Sequence, residues 1–229
     1  MNAYNTLKDW GMQALIGTTT STPCTAVVEE THSDNMFQLT PSATAVDSIQ
    51  YDNAFRMCFS DPNQGSASAD YIAENKLATK VAIIYNSSDT YSSGIYQTFA
   101  TEAKAKGLDV VAAEAFTADN KTDFSVQIQK AKDAGAELVF LPIYYQEASL
   151  ILAQANKAGF TPKWFGCDGM DGILDLDGFD ASLAEDLMFL TPFTANATDE
   201  ATQKSLLITK KHSETHRFSL QQMLMTVYT

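Results

Sequence analysis

A chain of 229 residues with 45% hydrophobic and 19% charged side chains is long enough for one large or two small α/β units and too apolar for intrinsic disorder. Its net charge of -13 repels a phosphate backbone and an anionic membrane alike, which argues against both as partners and makes the acidic surface a solubility feature. No apolar run reaches the ~20 residues of a membrane helix, and residues 1–11 are neither basic nor followed by an apolar segment, so a soluble chain without an export signal is expected.

In chain order, Tyr4, Leu7 and Trp10 suit a helix, and Ala14-Leu15-Ile16-Gly17 suits a strand. Ser21 or Thr22 followed by Pro23 marks a capped helix start. The next strand, Met36 to Leu39, runs into Thr40-Pro41-Ser42-Ala43-Thr44. Pro41 cannot donate to a sheet ladder, and the small residues after it leave backbone and hydroxyl groups within reach of something small and polar. An ordinary strand-to-helix turn accounts for the same residues. Two strands cannot cover their helices as a stable unit, so this half looks incomplete. Residues 54–61 are expected to cross to the second half.

From Lys80 a rhythm sets in of apolar run, loop, amphipathic helix and helix-stopping glycine. Val81 to Tyr85 reads as a buried strand, with a polar loop from Asn86 to Tyr91. Ile95, Phe99 and Ala103 then share a helix face that ends at Gly107. Val110 to Phe116 is a strand. Asp123 caps a helix with Phe124, Ile128 and Ala131 inward, stopped by Gly135. Leu138 to Leu141 has the wholly apolar character of a parallel strand buried on both faces. A helix with Ala148, Ile151, Leu152 and Ala155 inward stops at Gly159, before the strand Trp164-Phe165-Gly166. Three strand-helix units predict a doubly wound, mostly parallel sheet over residues 60–190, with ligands at the carboxyl ends of its strands: Asn86 to Tyr91, Tyr144-Tyr145 and Cys167-Asp168-Gly169.

Ala14-Leu15-Ile16-Gly17 with Thr20-Ser21, the stretch from Leu39 to Ala45, Phe55-Arg56 with Asp61-Pro62-Asn63-Gln64-Gly65, and Tyr144 to Ala148 together closely resemble the branched-chain amino-acid-binding proteins of ABC importers. The resemblance runs from about Asn2 to Lys210. It implies a type I periplasmic binding protein fold, an α/β architecture of two doubly wound parallel-sheet lobes around a ligand cleft. Residues 1–57 would form a partial first lobe, 58–191 a complete second lobe, and 192–229 the return to the first, with hinges near 57–61 and 190–195. Position by position, Ser21 matches a hydroxyl on the ligand's α-carboxylate, at a helix N-terminus that favours an anion. Ser42, Ala43 and Thr44 match the loop that holds both carboxylate and ammonium. Asp168 matches the acidic residue, often glutamate in the family, that pairs with the ammonium. Tyr91 and Tyr144 match aromatics of the second lobe that close over the ligand. Each has an ordinary structural role as its alternative: helix cap, turn, solvated loop carboxylate, core or rim packing.

The resemblance further implies a family strand-helix-strand-helix unit ahead of Asn2, without which weak or no amino-acid binding and a possible dimer through exposed first-lobe surface are expected, while residues 60–190 fold. Past Lys210 the family pattern stops. Read in a shifted codon frame, with permitted synonymous choices, His212 to Tyr228 becomes a sequence resembling the family's continuation, so a frameshift from about residue 211 is expected; sequencing the DNA tests it. His212, Glu214 and His216 imitate a helical metal pair but lack the H-E-x-x-H order. Cys24, Cys58 and Cys167 are too few and scattered for a disulfide framework or metal site and read as packing residues. No nucleophile elbow, Walker loop or dinucleotide fingerprint is present. The sequence therefore predicts no catalytic residues, no metal and no cofactor, and no nucleic acid partner. The expected function is the periplasmic or cell-surface receptor of an ABC importer, taking a small aliphatic amino acid to a membrane permease. A ligand-sensing domain of the same fold is the alternative, distinguished by a fused kinase or DNA-binding domain; an enzyme on a doubly wound sheet is the weakest.

Overall fold

A computed structural model of the chain describes residues 2–192, 194 and 197–216, with side chains described as far as Ile208. The chain divides into two compact units, one made of Met1–Phe59 with the segment from Pro192 onward, the other of Ser60–Thr191.

In the first unit, α1 (Asn2–Asp9), β1 (Ala14–Ile16), α2 (Ser21–Ser33), β2 (Phe37–Thr40), a 3-10 turn at Val46–Ile49 and β3 (Ala54–Arg56) follow one another. The strands form a parallel sheet in the order β1-β2-β3. Residues 54–56 are thus a third strand of this unit, where a crossing segment was expected. The run Ala-Phe-Arg is too short to carry a visible period, and only its parallel pairing with Gln38, Leu39 and Thr40 makes it a strand. One face of the sheet is covered: Leu15 packs with Tyr4 and Val27, while Gln38, Thr40 and Ala54 are buried beside Cys24 and Val28. Gln38 is tolerated there because Thr31 donates to its Oε1 (2.6 Å) and its Nε2 donates to the Cys24 sulfur (3.2 Å). The opposite face leaves Ile16, Phe37 and Phe55 exposed, Phe37 and Phe55 stacked at 5.5 Å. The predicted first helix ends before Trp10, which is exposed.

The second unit is a five-stranded parallel sheet in the order β5-β4-β6-β7-β8, where β4 is Lys80–Asn86, β5 Asp109–Phe116, β6 Leu138–Leu141, β7 Lys163–Gly166 and β8 Met188–Phe189. Alternation along the strands feeds two separate cores. Ala82, Ile84, Val139, Leu141 and Trp164 face α5 (Ser125–Asp133) and α6 (Tyr145–Lys157). Val81, Ile83, Leu138, Phe140 and Phe165 face α3 (Asp61–Glu74) and α4 (Thr90–Ala105). A sheet covered on both sides needs continuous apolar strands, which is why Leu138-Val139-Phe140-Leu141 is wholly buried. The expected stops at Gly107, Gly135 and Gly159 all have the positive φ of a left-handed helix terminus. Strand order reverses between β4 and β6, and in open α/β sheets that switch is where ligands bind, beyond the strands' carboxyl ends. After Pro192 the chain re-enters the first unit and forms α7 (Glu200–His216). The expected change of frame and the His212/His216 pair fall on this helix's last turns, whose side chains lie outside the described residues, and on residues 217–229, which lie outside them altogether.

Candidate functional site

Each unit carries a cluster of polar groups where the sequence predicts ligand contacts. In the first unit the strand β2 ends at Thr40, whose Oγ1 donates to the Thr18 carbonyl (2.6 Å) and accepts from the Ala43 amide (3.0 Å). The Ser21 hydroxyl accepts from the amides of Thr44 and Ala45, both at 3.1 Å. Arg56 completes the frame from β3, its Nη1 donating to the carbonyls of Thr44 (2.8 Å) and Ala45 (3.0 Å). The loop is therefore rigid, and its inner amides and carbonyls are spent on the protein itself.

This revises the expectation in two respects. Ser21 is the first residue of α2 and Thr20 occupies the cap position, without a side-chain bond to the helix. Ser21 instead clamps the loop, and because it accepts two amide hydrogens, its own hydroxyl hydrogen remains to donate. Of the loop's backbone amides, those of Ala43, Thr44 and Ala45 are occupied, so Ala43 can offer its carbonyl and not its N–H. Ser42 is half-buried, while the Thr44 hydroxyl is buried with no hydrogen-bond partner among the described residues. An orphaned buried hydroxyl costs free energy unless something polar reaches it.

In the second unit Tyr91, Tyr144, Asp168 and Gly169 come together with Gln64. Tyr91 lies in the first turn of α4, not in the loop before it, because Asp89 caps the helix by accepting from the Ser92 amide. The Tyr91 hydroxyl donates to Asp168 Oδ1 (2.8 Å) and accepts from the Gly169 amide (2.9 Å). The Gln64 Oε1 in α3 accepts the Asp168 amide (3.1 Å). Tyr144, at the start of α6, stacks on Tyr91 with ring centroids 4.9 Å apart. Gly169 is required by this closeness: a Cβ there would lie 2.8 Å from the Ile143 carbonyl and 2.9 Å from the Tyr91 hydroxyl.

Burial pushes the Asp168 carboxyl above the ordinary carboxylate range, against the opposing pull of its bonds with Tyr91, Gln64 and the Gly169 amide. Burial, then the Asp168 charge, holds the Tyr91 phenol well above its usual value, so it stays a donor. Tyr144 is raised by burial first and then by the charges of Asp89, Asp168, Asp61 and Glu147. The charged groups acting on Tyr144 are thus all carboxylates. Asp168 makes no ion pair among the described residues. Such a site suits an ammonium group. Among the described residues, no group of three or more His, Cys, Asp or Glu could hold a metal ion.

Arg56 and Gln64 were both present in the sequence motifs without an assigned role. Their contribution is made through main-chain groups distant in sequence, Thr44 and Asp168, and no local pattern announces that.

The periplasmic binding protein family matches residues 1–227. The chain belongs to that family. Its type I fold is shared with solved structures. The leucine-binding protein of Thermotoga maritima superposes with a TM-score of 0.80 over 99% of this chain and 65% of the other, at 23% identity. A branched-chain amino acid transporter substrate-binding protein of Streptococcus pneumoniae, solved with isoleucine, gives 0.80 over 97% and 63%, also at 23% identity. Among curated relatives, a Leu/Ile/Val-binding protein homologue of Brucella melitensis is 29% identical over 172 residues, 74% of this chain and 46% of the relative. A leucine-, isoleucine-, valine-, threonine- and alanine-binding protein of Pseudomonas aeruginosa is 29% identical over 165 residues, 70% and 43%. The chain spans about half the length of the curated relatives it matches.

Proposed function

We propose that this periplasmic binding protein is a non-catalytic receptor for a small α-amino acid, with candidate contacts in each unit. Asp168 carries the reading: a half-buried carboxylate with a hydroxyl donor and, among the described residues, no cationic side chain paired with it suits an ammonium that arrives with the ligand. Tyr144 would cover the ligand from the same unit. In the first unit, the Ser21 hydroxyl at the start of α2, Ser42 and the orphaned Thr44 hydroxyl would take the carboxylate, with the Ala43 carbonyl available to the ammonium. Similarity to proteins named for leucine, isoleucine and valine makes a branched aliphatic side chain the favoured choice. By the same similarity the cell-side partner would be an ABC permease, the location periplasmic or at the cell surface, and residues near 59–60 and 191–192, where the chain passes from one unit to the other, the hinges. The exposed Ile16, Phe37 and Phe55 would be the surface of any self-association, which sedimentation at several concentrations tests.

The test is an NMR titration with a panel of amino acids, a method that detects millimolar as well as micromolar binding. Saturable shifts at Thr44 and Asp168 with leucine, isoleucine or valine, absent with their N-acetyl and amide derivatives, are expected. Equal responses to the blocked derivatives would overturn the assignment of the two grips.

A further inference from the structure

We infer that Tyr91 does not contact the ligand and acts as the positioning residue for Asp168, with Tyr144 alone as the aromatic that meets the amino acid. The inference rests on the amino-acid reading above and deepens it. A phenol has one hydrogen, and that of Tyr91 goes to Asp168 Oδ1 at 2.8 Å. The phenol oxygen in turn accepts from the Gly169 amide at 2.9 Å. The residue is 2% exposed, part of the core cluster that also holds Ile95, Phe99 and Phe140, and its ring is stacked on Tyr144. Tyr144 is different: half-buried, and with no hydrogen bond on its hydroxyl among the described residues. The two tyrosines therefore form a relay of position. Tyr91 fixes the carboxylate through its hydroxyl and the second ring through its face, and Gln64 anchors the Asp168 backbone from the other side.

The carboxylate needs this help, since the surroundings are hostile to a negative charge. Burial is what opposes its charge, while Asp61 at the start of α3, Asp89 ahead of α4 and Glu147 in the first turn of α6 act on the neighbouring Tyr144, and Cys167 is a buried thiol whose ionisation burial suppresses. Of these, Glu147 is paired with Lys121 at 3.2 Å. Without the Tyr91 hydroxyl, Asp168 would keep its proton at higher pH and lose its fixed direction.

The test separates this role from simple packing by using two substitutions that keep the ring. Tyr91→Phe removes the donor; 3-fluorotyrosine placed at position 91 keeps the shape and makes the donor stronger. The Asp168 carboxyl is followed by carbon-13 NMR as a function of pH, and amino-acid affinity is measured over the same range. Tyr91→Phe is expected to move the Asp168 titration to higher pH and weaken binding about tenfold at neutral pH, with the acid limb of binding moving by the same amount. Fluorotyrosine is expected to move both the other way, and Tyr144→Phe to weaken binding while moving the titration less than Tyr91→Phe does. An Asp168 titration unchanged in Tyr91→Phe and in the fluorotyrosine protein would overturn the positioning role, whatever happens to affinity. A titration that moves as expected in a protein that binds no amino acid would uphold the positioning of Asp168 and overturn the amino-acid reading instead.

Discussion

At neutral pH a largely desolvated, half-buried carboxylate and a buried hydroxyl without a partner among the described residues each lower stability, and each is a group the proposed ligand would satisfy. Burial raises the Asp168 acid, so the folded chain holds that proton more tightly than the unfolded one. Its contribution is therefore favourable below the ordinary carboxylate value and is lost as pH rises through the raised one. Asp168→Asn keeps the shape and removes the charge. It is expected to melt above the parent at pH 7, with the difference shrinking as pH falls toward the ordinary carboxylate range, and to bind amino acid at least about tenfold more weakly. Thermal scans at a series of pH values check the first part and calorimetry the second; a parent-like melting point at pH 7 would show that the carboxylate is not strained. Thr44→Val is expected to raise stability by about 1 kcal/mol, because it deletes a buried hydroxyl that has no partner, and to weaken binding. A loss of stability on denaturant titration would reveal a hidden partner for the hydroxyl.

At the scale of elements, α3 packs against α4, and Gly65 lies at that contact. A Cβ there would meet the Ile95 carbonyl at 2.7 Å and the Phe99 amide at 2.8 Å, backbone atoms that cannot turn aside. Alanine ordinarily favours a helix over glycine by about 1 kcal/mol. Here Gly65→Ala is expected to destabilise by about 1–3 kcal/mol through overpacking, read as a lower denaturant midpoint at unchanged slope. Because Gln64 precedes it, the same change is expected to disturb the Asp168 amide in NMR spectra. The second unit's elements were largely legible in the sequence. β6 is apolar throughout and β4 has an apolar centre, α4 to α6 keep their four-residue spacing, and the glycine stops have one reading. The first unit was less so, since β3 is three residues long and takes its identity from pairing. The two-residue β8 and the helix α3, which begins Asp61-Pro62 and whose buried face is largely Gly65, Ser68 and Ala69, lacked any such signal. The site was legible as a set of residue types, and Tyr144 and Asp168 lie together. What escaped was the direction of each bond: nothing in the letters shows that Ser21 accepts two amides, or that Tyr91 has given its hydrogen away.

On the scale of the whole molecule, the second unit has a sheet with covering layers on both faces, and its two cores draw on residues from β4 through β8 and all four of its helices. A fragment spanning Ser60–Thr191 is expected to fold by itself and melt in one cooperative transition by circular dichroism. A broad, non-cooperative melt would mean that the first unit supplies part of its stability. This arrangement also has an order in time. The second unit is an insertion in the first: its last residue, Thr191, is translated before the segment from Pro192 that the first unit still awaits. As the nascent chain leaves the ribosome, the inserted unit is complete while its host is unfinished, so the Asp168 cluster forms before the unit carrying the Thr44 loop has all of its chain.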